Sequence, residues 1–293
     1  MTKRKVLVTG ASGYVAGLML PTLREKYDLT LLDISDFTSP GRSHPHMKVE
    51  GIQIADLTDP NRSKYAHHFE GVDTVIHLGY VRQTVGAPEV DQYWSQRANI
   101  DMCYNVLRSA HDAGVTRIVS ASSNHAANWW ERDLLSKGKM ENLDPYTWPL
   151  AYNFYGWSKA TYEHLGFLFA NGAVGRRMGV VMVRIGGPGE FDLSKYEDLG
   201  LVKRLLGAWL SPRDLTQLFV KATDTPNIDN EHGIPWQIVY GISNNTRAFW
   251  SLTNARKVLG YEPQDDSEVH YAKDIERLLT GKNAVGRLDK QAP

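Results

Sequence analysis

The chain has 293 residues, and its 33 basic and 33 acidic side chains cancel to a formal net charge of zero. This balance, without a basic stripe, argues against nucleic acid as a partner. The single cysteine, Cys103, excludes an internal disulfide framework, suits a reducing cytoplasm and is expected to be a buried structural thiol. No apolar run approaches the roughly 20 residues of a membrane span, and the first residues lack the form of a secretory signal. We therefore expect a cytoplasmic enzyme that does not act at a membrane.

The first predicted elements are a short β-branched strand at residues 5–9, a glycine-rich turn and an apolar helix. Backbone N–H groups and the helix dipole make such a turn a site for a phosphate. Gly10 permits the tight turn, Gly13 lets a pyrophosphate approach the backbone, and Ala16 lets the helix pack close to the strand. Because a strand precedes the turn and a helix follows it, the pattern predicts a dinucleotide site.

The second predicted strand, residues 29–33, ends in a carboxylate. Asp33 follows the first glycine by about 20 residues, the spacing of the acidic residue that binds the adenosine ribose in NAD sites. Ile34 and Ser35 come next and offer no cation for a 2′-phosphate, and Arg42 is the nearest one. The pattern favours NAD over NADP. The alternative is that Asp33 is only a turn residue.

Further apolar runs at residues 72–78, 117–120 and 180–185 alternate with helical patterns, which predicts an α/β fold with a parallel sheet between helices. After about residue 186 the pattern loosens into a helix near 211–222 with Ser211 as its N-cap, a short run at 237–240 and a helix at 254–259 that Gly260 ends. We predict a Rossmann-type doubly wound sheet. Residues 1–186 would be the NAD-binding core with the catalytic residues, and 187–293 mainly a small substrate lobe with a return strand near 237–241.

The strongest catalytic pattern is Tyr155 four residues ahead of Lys159, which places both on one face of a helix. A nearby ammonium favours the phenolate, so the tyrosine can take a proton from an alcohol near neutral pH. Ser122 and Ser123 follow the fifth strand, and a hydroxyl there could hold the reacting oxygen against Tyr155. The alternative is an exposed helix face that merely carries a tyrosine and a lysine.

With these motifs, the chain resembles the extended short-chain dehydrogenase/reductase family, also called the NAD-dependent epimerase/dehydratase family, over nearly its whole length. Within it, the chain is most similar to the uronate dehydrogenases, in which NAD accepts a hydride from C1 of a hexuronic acid to give an aldarolactone. The matching segments are residues 10–17, 56–57, 77–80, 99, 121–125, 155–159, 183–188, 208–214 and 239–243, with Trp250.

The resemblance implies that Tyr155 is the general base, that Lys159 tunes it and orients the nicotinamide ribose, and that Ser123 holds the hydroxyl being oxidised. It also implies an NAD site made of Gly10, Ser12, Gly13, Tyr14, Val15, Asp33, Ile34, Asp56, Leu57, Leu78, Gly79, Tyr80, Asn99, Ser122, Tyr155, Lys159 and Ile185. A homo-oligomer built through the helices that carry Asn99 and Tyr155 is a further expectation.

The resemblance implies sugar contacts from Ser123, Asn124 and His125, and from Arg204 as the grip on the substrate carboxylate. A guanidinium suits that role because it binds a carboxylate through two parallel hydrogen bonds. The alternative for Arg204 is a solvated helix face. Two substrate-site positions depart from the uronate dehydrogenases, because Arg82 and Gly187 stand where those enzymes have serines.

The chain is also longer than that subfamily at residues 126–154 and 189–203, beside the expected sugar site. The first stretch carries Trp129, Trp130, Tyr146 and Trp148, which could cover a ligand or simply hold a long loop together.

Three alternatives to a hexuronate enzyme stay open: a C1 dehydrogenase of a phosphorylated or neutral hexose, an epimerase or dehydratase of nucleotide sugars that retains its NAD, and a non-catalytic NAD-binding regulator. The intact Tyr155 and Lys159 argue against the last.

The remaining polar residues suggest no metal site. The pairs His44/His46 and His67/His68 lie in charged, loop-like stretches without the ligand spacing of a zinc site. Asp265 and Asp266 are expected to be solvated and not catalytic.

Overall fold

A seven-stranded parallel sheet forms the centre of the computed structural model, which describes residues 2–38, 46–82 and 86–280. The strands in chain order are β1 Lys5–Thr9, β2 Asp28–Asp33, β3 Ile52–Ile54, β4 Thr74–His77, β5 Arg117–Ser123, β6 Gly179–Ile185, β7 Gly187–Pro188, β8 Trp209–Leu210 and β9 Trp236–Gly241. The sheet order is β3-β2-β1-β4-β5-β6-β9, while β7 and β8 pair separately. The predicted doubly wound topology is confirmed, with its reversal between β1 and β4.

Helices cover both faces of the sheet. They are α1 Tyr14–Lys26, α2 Glu89–Asp112, α3 Asn128–Trp130, α4 Phe154–Ala170, α5 Leu199–Ala208, α6 Pro212–Asp224, α7 Thr253–Leu259, α8 Ser267–His270 and α9 Ala272–Thr280. One apolar core joins the sheet to α1 and α6, and a second joins it to α2 and α4. None of the helices in the described part of the chain is long and apolar enough to cross a membrane.

Local sequence signals set several helix ends where they were expected. Ser211 is the N-cap of α6, because its Oγ accepts a hydrogen bond from Asp214 N at 3.1 Å. Gly260 ends α7 with a left-handed φ of 64°. The predicted return strand is β9, which pairs with β6.

The fifth strand is longer than its apolar run predicted, since Ser122 and Ser123 belong to β5 and do not follow it. They pair with Arg184 and Ile185 of β6. The backbone ladder therefore continues where the apolar pattern stops, because these polar side chains are buried at the site described below.

A third, smaller core lies in the segment that follows β6. It contains the buried side chains Leu193, Val202, Leu206, Trp209 and Tyr271. This cluster occupies the region that we predicted as a substrate lobe, and the division of the chain at residue 186 stays a prediction. Arg42, His44 and the tail beyond Lys282 lie outside the described residues.

Candidate active site

The carboxyl edge of the sheet has a step between β4 and β5. Their last paired residues are His77 and Ser120, and β5 then continues through Ala121, Ser122 and Ser123 beside β6. The carbonyl oxygen of Ala121, beyond the end of β4, accepts a hydrogen bond from Lys159 Nζ at 3.0 Å. Ligands of doubly wound sheets bind beyond the carboxyl ends of the strands, at the point where the strand order reverses. In this sheet that point is between β1 and β4, next to the step.

The turn after β1 has the geometry that a pyrophosphate requires. Gly10 has a φ of +70°, and a Cβ there would lie 2.6 Å from Gly79 N in the segment after β4. A Cβ on Gly13 would lie 3.0 Å from the carbonyl oxygen of Gly10, and Ala16 is fully buried. Two backbone segments thus approach each other with no room for side chains, which fits the phosphate cradle of NAD.

Asp33 lies directly beside this turn. Its Oδ2 accepts hydrogen bonds from Ser12 N at 2.9 Å and Ser12 Oγ at 2.7 Å, and its Oδ1 accepts one from Ile34 N at 2.7 Å. The carboxylate therefore joins the end of β2 to the glycine turn, a position suited to the adenosine ribose. The Ile34 side chain next to it is 70% exposed.

The first turn of α4 presents Tyr155. Asn153 caps the helix by accepting a hydrogen bond from Gly156 N at 2.8 Å. The Tyr155 ring lies edge-on to Tyr80 and to His125, with ring centres 5.5 Å apart in each case. Tyr155 is therefore held between the segment after β4, which was predicted to follow the cofactor, and the segment after β5, which was predicted to bind the sugar.

Lys159 lies one turn further along α4 and is almost fully buried. Besides its bond to Ala121, its Nζ lies 4.3 Å from the centre of the Tyr162 ring and 5.4 Å from that of Tyr80. Burial lowers the pKa of Lys159 to about 8, although the charge of Glu163 opposes the shift. The ammonium form still predominates near neutral pH, as the predicted role requires.

The segment after β5 groups three predicted substrate residues. Ser123 Oγ accepts a hydrogen bond from His125 N at 3.2 Å and donates one to Asn124 Oδ1 at 3.3 Å. Burial, reinforced by the charges of Arg204 and Arg132, lowers the pKa of His125 to about 4. The imidazole is therefore neutral at physiological pH. Its Nδ1 accepts a hydrogen bond from Asn128 Nδ2 at 3.4 Å, which leaves Nε2–H to donate to a sugar.

Gly156 is a site residue that the sequence did not reveal. A Cβ at this position would lie 2.2 Å from the carbonyl oxygen of His125. Only glycine lets α4 approach the segment after β5 this closely, and this contact brings Tyr155 against His125. The signal that could have found it is the glycine directly after Tyr155 in a helix.

The side chain of Ser122, which was predicted to lie at the cofactor, forms a hydrogen bond within the protein. Its Oγ donates to Glu163 Oε1 at 2.8 Å, and Glu163 forms a doubly hydrogen-bonded ion pair with Arg184. Arg184 Nη1 also donates to the hydroxyl of Tyr240 at 3.0 Å. This network was not predicted from the sequence, although the charged Arg184 within the apolar run of β6 was a signal for it.

Asn99, in α2, forms hydrogen bonds with the segment after β4. Its Oδ1 accepts a hydrogen bond from Val81 N at 2.7 Å, and its Nδ2 donates to Val81 O at 2.9 Å. Gln96, one turn earlier in α2, donates to the hydroxyl of Tyr80 at 3.0 Å. Together the two amides hold the backbone of Val81 and the side chain of Tyr80, so Asn99 helps to position the segment that was predicted to follow the cofactor.

The other predicted cofactor residues lie at strand or helix ends. Asp56 and Leu57 follow β3, Val15 is in the first turn of α1, and Ile185 ends β6. Tyr14 links two parts of the site, because its hydroxyl donates to the carbonyl oxygen of Pro188 at 3.2 Å.

Gly187 has a packing reason for lacking a side chain. A Cβ there would lie 2.4 Å from Cζ of Phe191, so an aromatic ring fills the space that a side chain at residue 187 would occupy. Arg82 is exposed two residues after Tyr80. Burial raises the pKa of Tyr80, against the hydrogen bond from Gln96 and the positive charge of Arg82.

Arg204, in α5, is paired with a carboxylate of the protein itself. Its Nε and Nη2 donate to the two carboxylate oxygens of Glu131, the second at 3.1 Å. Glu131 begins the short π-helical turn Glu131–Leu135, in the stretch that appeared longer than in the uronate dehydrogenases. The role of Arg204 at a substrate carboxylate therefore stays a prediction.

The aromatic residues of that stretch hold it together. Trp130 Nε1 donates to the carbonyl oxygen of Trp148 at 2.7 Å, and the hydroxyl of Tyr146 donates to Gln237 Oε1 at 2.7 Å. Trp129 packs edge-on against Trp130. These contacts favour loop packing over a ligand cover.

Other sequence predictions concern residues away from the site. Within residues 2–38, 46–82 and 86–280, no three His, Cys, Asp or Glu side chains group as metal ligands would. Cys103 is buried, which raises its pKa to about 12. Asp265 and Asp266 are partly exposed: Asp265 accepts hydrogen bonds from Ser211 and Arg213, and Asp266 caps α8. That neither is catalytic stays a prediction.

Comparison with known proteins agrees with this geometry. Residues 6–195 match the model of the NAD dependent epimerase/dehydratase family. A Haloferax volcanii protein named NAD-dependent glucose-6-phosphate dehydrogenase is 34% identical over 272 residues, which cover 89% of this chain and 94% of the relative. A uronate dehydrogenase of Pseudomonas syringae pv. tomato is 30% identical, over 92% of this chain and 85% of that enzyme.

A solved structure of a mutated uronate dehydrogenase is also similar. It has a TM-score of 0.70 and 28% identity, and the match covers 94% of this chain and 86% of that one. The matched family model spans the glycine turn, β5 and the Tyr155/Lys159 helix, and the protein is an NAD-dependent oxidoreductase. The chain therefore belongs to the NAD-dependent epimerase/dehydratase family.

Proposed function

We propose that the protein oxidises the C1 hydroxyl of an aldose with NAD and releases a lactone. One observation carries the proposal. Tyr155 and Lys159 share a face of α4, and Lys159 donates a hydrogen bond to Ala121 in the part of β5 that extends past β4 and ends at Ser123. This groups a proton acceptor, a cation and a hydroxyl at the carboxyl edge of the sheet, close to the glycine turn. Such a group suits removal of a proton from an alcohol.

Each residue of the group has a distinct task in this mechanism. When bound, NAD supplies the acceptor for the hydride of C1. Tyr155 takes the proton of the C1 hydroxyl, Ser123 Oγ holds that oxygen, and the buried Lys159 ammonium stabilises negative charge on the phenol oxygen. The neutral imidazole of His125 binds a neighbouring sugar hydroxyl.

The first substrate candidate is a hexuronate, which would give an aldarolactone. The relative named as a uronate dehydrogenase and the cations Arg132 and Arg204 near His125 support it. The second candidate is a phosphorylated hexose, supported by the name of the 34% identical relative and by Arg82 near Tyr80. A neutral hexose is the third, because Glu131 neutralises Arg204.

The test is the appearance of NADH when purified protein and NAD are mixed separately with glucuronate, galacturonate, glucose, glucose 6-phosphate and UDP-glucose. Steady NADH formation with any free aldose, and a lactone as first product by NMR, is the expected result. A co-purified cofactor that never accumulates as NADH, with epimerised or dehydrated UDP-glucose, would instead indicate an epimerase or dehydratase. NAD binding without turnover of any sugar would point to a regulator.

We also propose that the protein forms a homo-oligomer through α2 and α4. Both helices expose large apolar side chains, among them Val90, Trp94, Tyr104, Trp157 and Leu168. Exposed apolar patches of this kind commonly mark an interface between subunits. Light scattering should give a multiple of the 33.0 kDa chain mass, and Trp94→Glu should lower it. A monomeric wild type would contradict the proposal.

A further inference from the structure

The ion pair between Glu131 and Arg204 lies on the sugar side of the proposed active site. Glu131 follows His125 by six residues, and the positive charge of Arg204 contributes to the lowered pKa of His125. The His125 ring in turn packs against Tyr155. The Arg204 side chain, which is 30% exposed, therefore lies near the segment after β5 that was predicted to bind the sugar.

Glu131 binds the same edge of the Arg204 guanidinium that a substrate carboxylate would need to bind. Nε and Nη2 of Arg204 both bind the Glu131 carboxylate, whose side chain is only 8% exposed, whereas that of Arg204 is 30% exposed. Parallel hydrogen bonds from two guanidinium nitrogens are the usual mode of carboxylate binding by arginine. In this protein the carboxylate in that position belongs to the chain itself.

A second carboxylate could enter only at a cost. It would either displace Glu131, leaving a buried anion without its cation, or share one guanidinium with a like charge. A sugar hydroxyl has neither problem, because Glu131 can accept its hydrogen while Nη1 of Arg204 can donate to its oxygen.

Phe191 adds an independent observation. Its ring occupies the space that a side chain at residue 187 would need, which makes that wall of the site less polar. A less polar wall does not compensate a charged substrate group, because a desolvated charge requires partners.

We propose that Glu131 takes the place of a substrate carboxylate at Arg204, so that the group bound there is a sugar hydroxyl. Glu131 is then a specificity-determining residue that favours a hexose with a C6 hydroxyl over the matching hexuronate. This inference rests on the proposed function, and it decides between two of its substrate candidates.

The test compares kcat/KM for glucuronate with kcat/KM for glucose in the wild type and in Glu131→Gln. The amide keeps the size of the side chain and removes its charge. We expect glucose to be preferred by the wild type and the glucuronate-to-glucose ratio to rise at least tenfold in the variant. A wild type that prefers glucuronate, or a ratio that is unchanged or lower in Glu131→Gln, overturns the inference.

Asp133→Asn is the matched control. Asp133 lies in the same π-helical turn and pairs with Lys137 at 2.8 Å, and the Lys137 side chain is about half exposed. Removing its charge should leave the ratio as in the wild type. An equal rise in Asp133→Asn would show a general charge effect and would also overturn the specific role of Glu131.

Two further measurements keep the inference testable. Glu131→Met removes the charge with similar volume, and it serves if thermal unfolding shows that Glu131→Gln does not fold. Calorimetric binding of glucuronate and glucose to the protein–NADH complex should follow the same order as the kinetic ratios. Absence of turnover with every sugar would refute the proposed function, whereas binding that is insensitive to Glu131 would refute only this inference.

Discussion

Glu163 and Arg184 form a fully buried ion pair directly behind the proposed catalytic residues. Arg184 Nε and Nη2 donate to the Glu163 carboxylate at 2.8 and 2.7 Å, and both side chains are 0% exposed. Glu163 lies one helical turn after Lys159, and Arg184 pairs across the sheet with Ser122. The pair therefore fixes α4 against β5 and β6, and with it the position of Lys159 relative to Ser123.

Glu163→Gln should destabilise the fold by about 3–5 kcal/mol, because it leaves the buried Arg184 cation uncompensated. The exposed pair of Asp192 and Lys195, 3.1 Å apart, provides the control: Asp192→Asn should lower the free energy of unfolding far less than Glu163→Gln does. Denaturant unfolding measures both. Equal free energies of unfolding for the two variants would show that the buried pair does not secure α4.

Tyr155→Phe should lower turnover about 10²- to 10⁴-fold, the range that a general base contributes, while the Kd of NAD stays close to that of the wild type. The readouts are steady-state kinetics and calorimetric titration with NAD. Tyr27→Phe, just before the amino end of β2 and away from the site, is the control and should keep its activity. Near-normal turnover in Tyr155→Phe would contradict the mechanism.

Gly156→Ala should impair both stability and activity. Its Cβ would lie 2.2 Å from the carbonyl oxygen of His125, and relief requires α4 to move away from the segment after β5. We expect a loss of about 1–3 kcal/mol, as for other overpacked sites, together with a lower kcat. Val269→Ala, at an exposed position of α8, is the control and should leave kcat unchanged. An alanine variant with wild-type kinetics would contradict the required close approach.

The stability of the protein should fall as the pH is lowered from about 6.5 toward 4. Burial lowers the pKa of His125 from its ordinary 6.5 to about 4, so in this window the unfolded chain binds a proton that the folded chain does not. The difference corresponds to about 3 kcal/mol. In His125→Gln the free energy of unfolding should decline less steeply across this window. Parallel curves for the variant and the wild type would contradict a neutral, buried His125.

Asp33→Ala should weaken NAD binding and reduce the preference for NAD over NADP. Without the carboxylate, the ribose loses a charged acceptor, worth about tenfold or more in Kd, and a 2′-phosphate is no longer repelled. The turn also loses the bonds from Ser12, so thermal unfolding must accompany the titrations. Asp28→Asn, at the opposite end of β2, is the control. An unchanged ratio of the two affinities would remove Asp33 from cofactor selection.

The sequence predicted the parts of the site that depend on local chain geometry. The glycine turn, the shared face of Tyr155 and Lys159 and the cap at Ser211 each depend on spacing within a few residues. Features that depend on distant partners were not predicted. Glu131 and Arg204 are 73 residues apart, and no periodicity links them. The extension of β5 through Ser123 was missed because pairing with β6, and not apolar side chains, sustains it.

The step between β4 and β5 means that this sheet is incomplete where the chemistry is proposed to occur. A longer β4 would continue the hydrogen-bond ladder along β5 and would compete with Lys159 for the backbone of Ala121. Lys159 therefore supplies, from its side chain, a hydrogen bond to Ala121 that the backbone of a longer β4 would otherwise provide. A variant with a longer β4 would therefore have a more complete sheet but would lose the position of Lys159 that the proposed reaction needs.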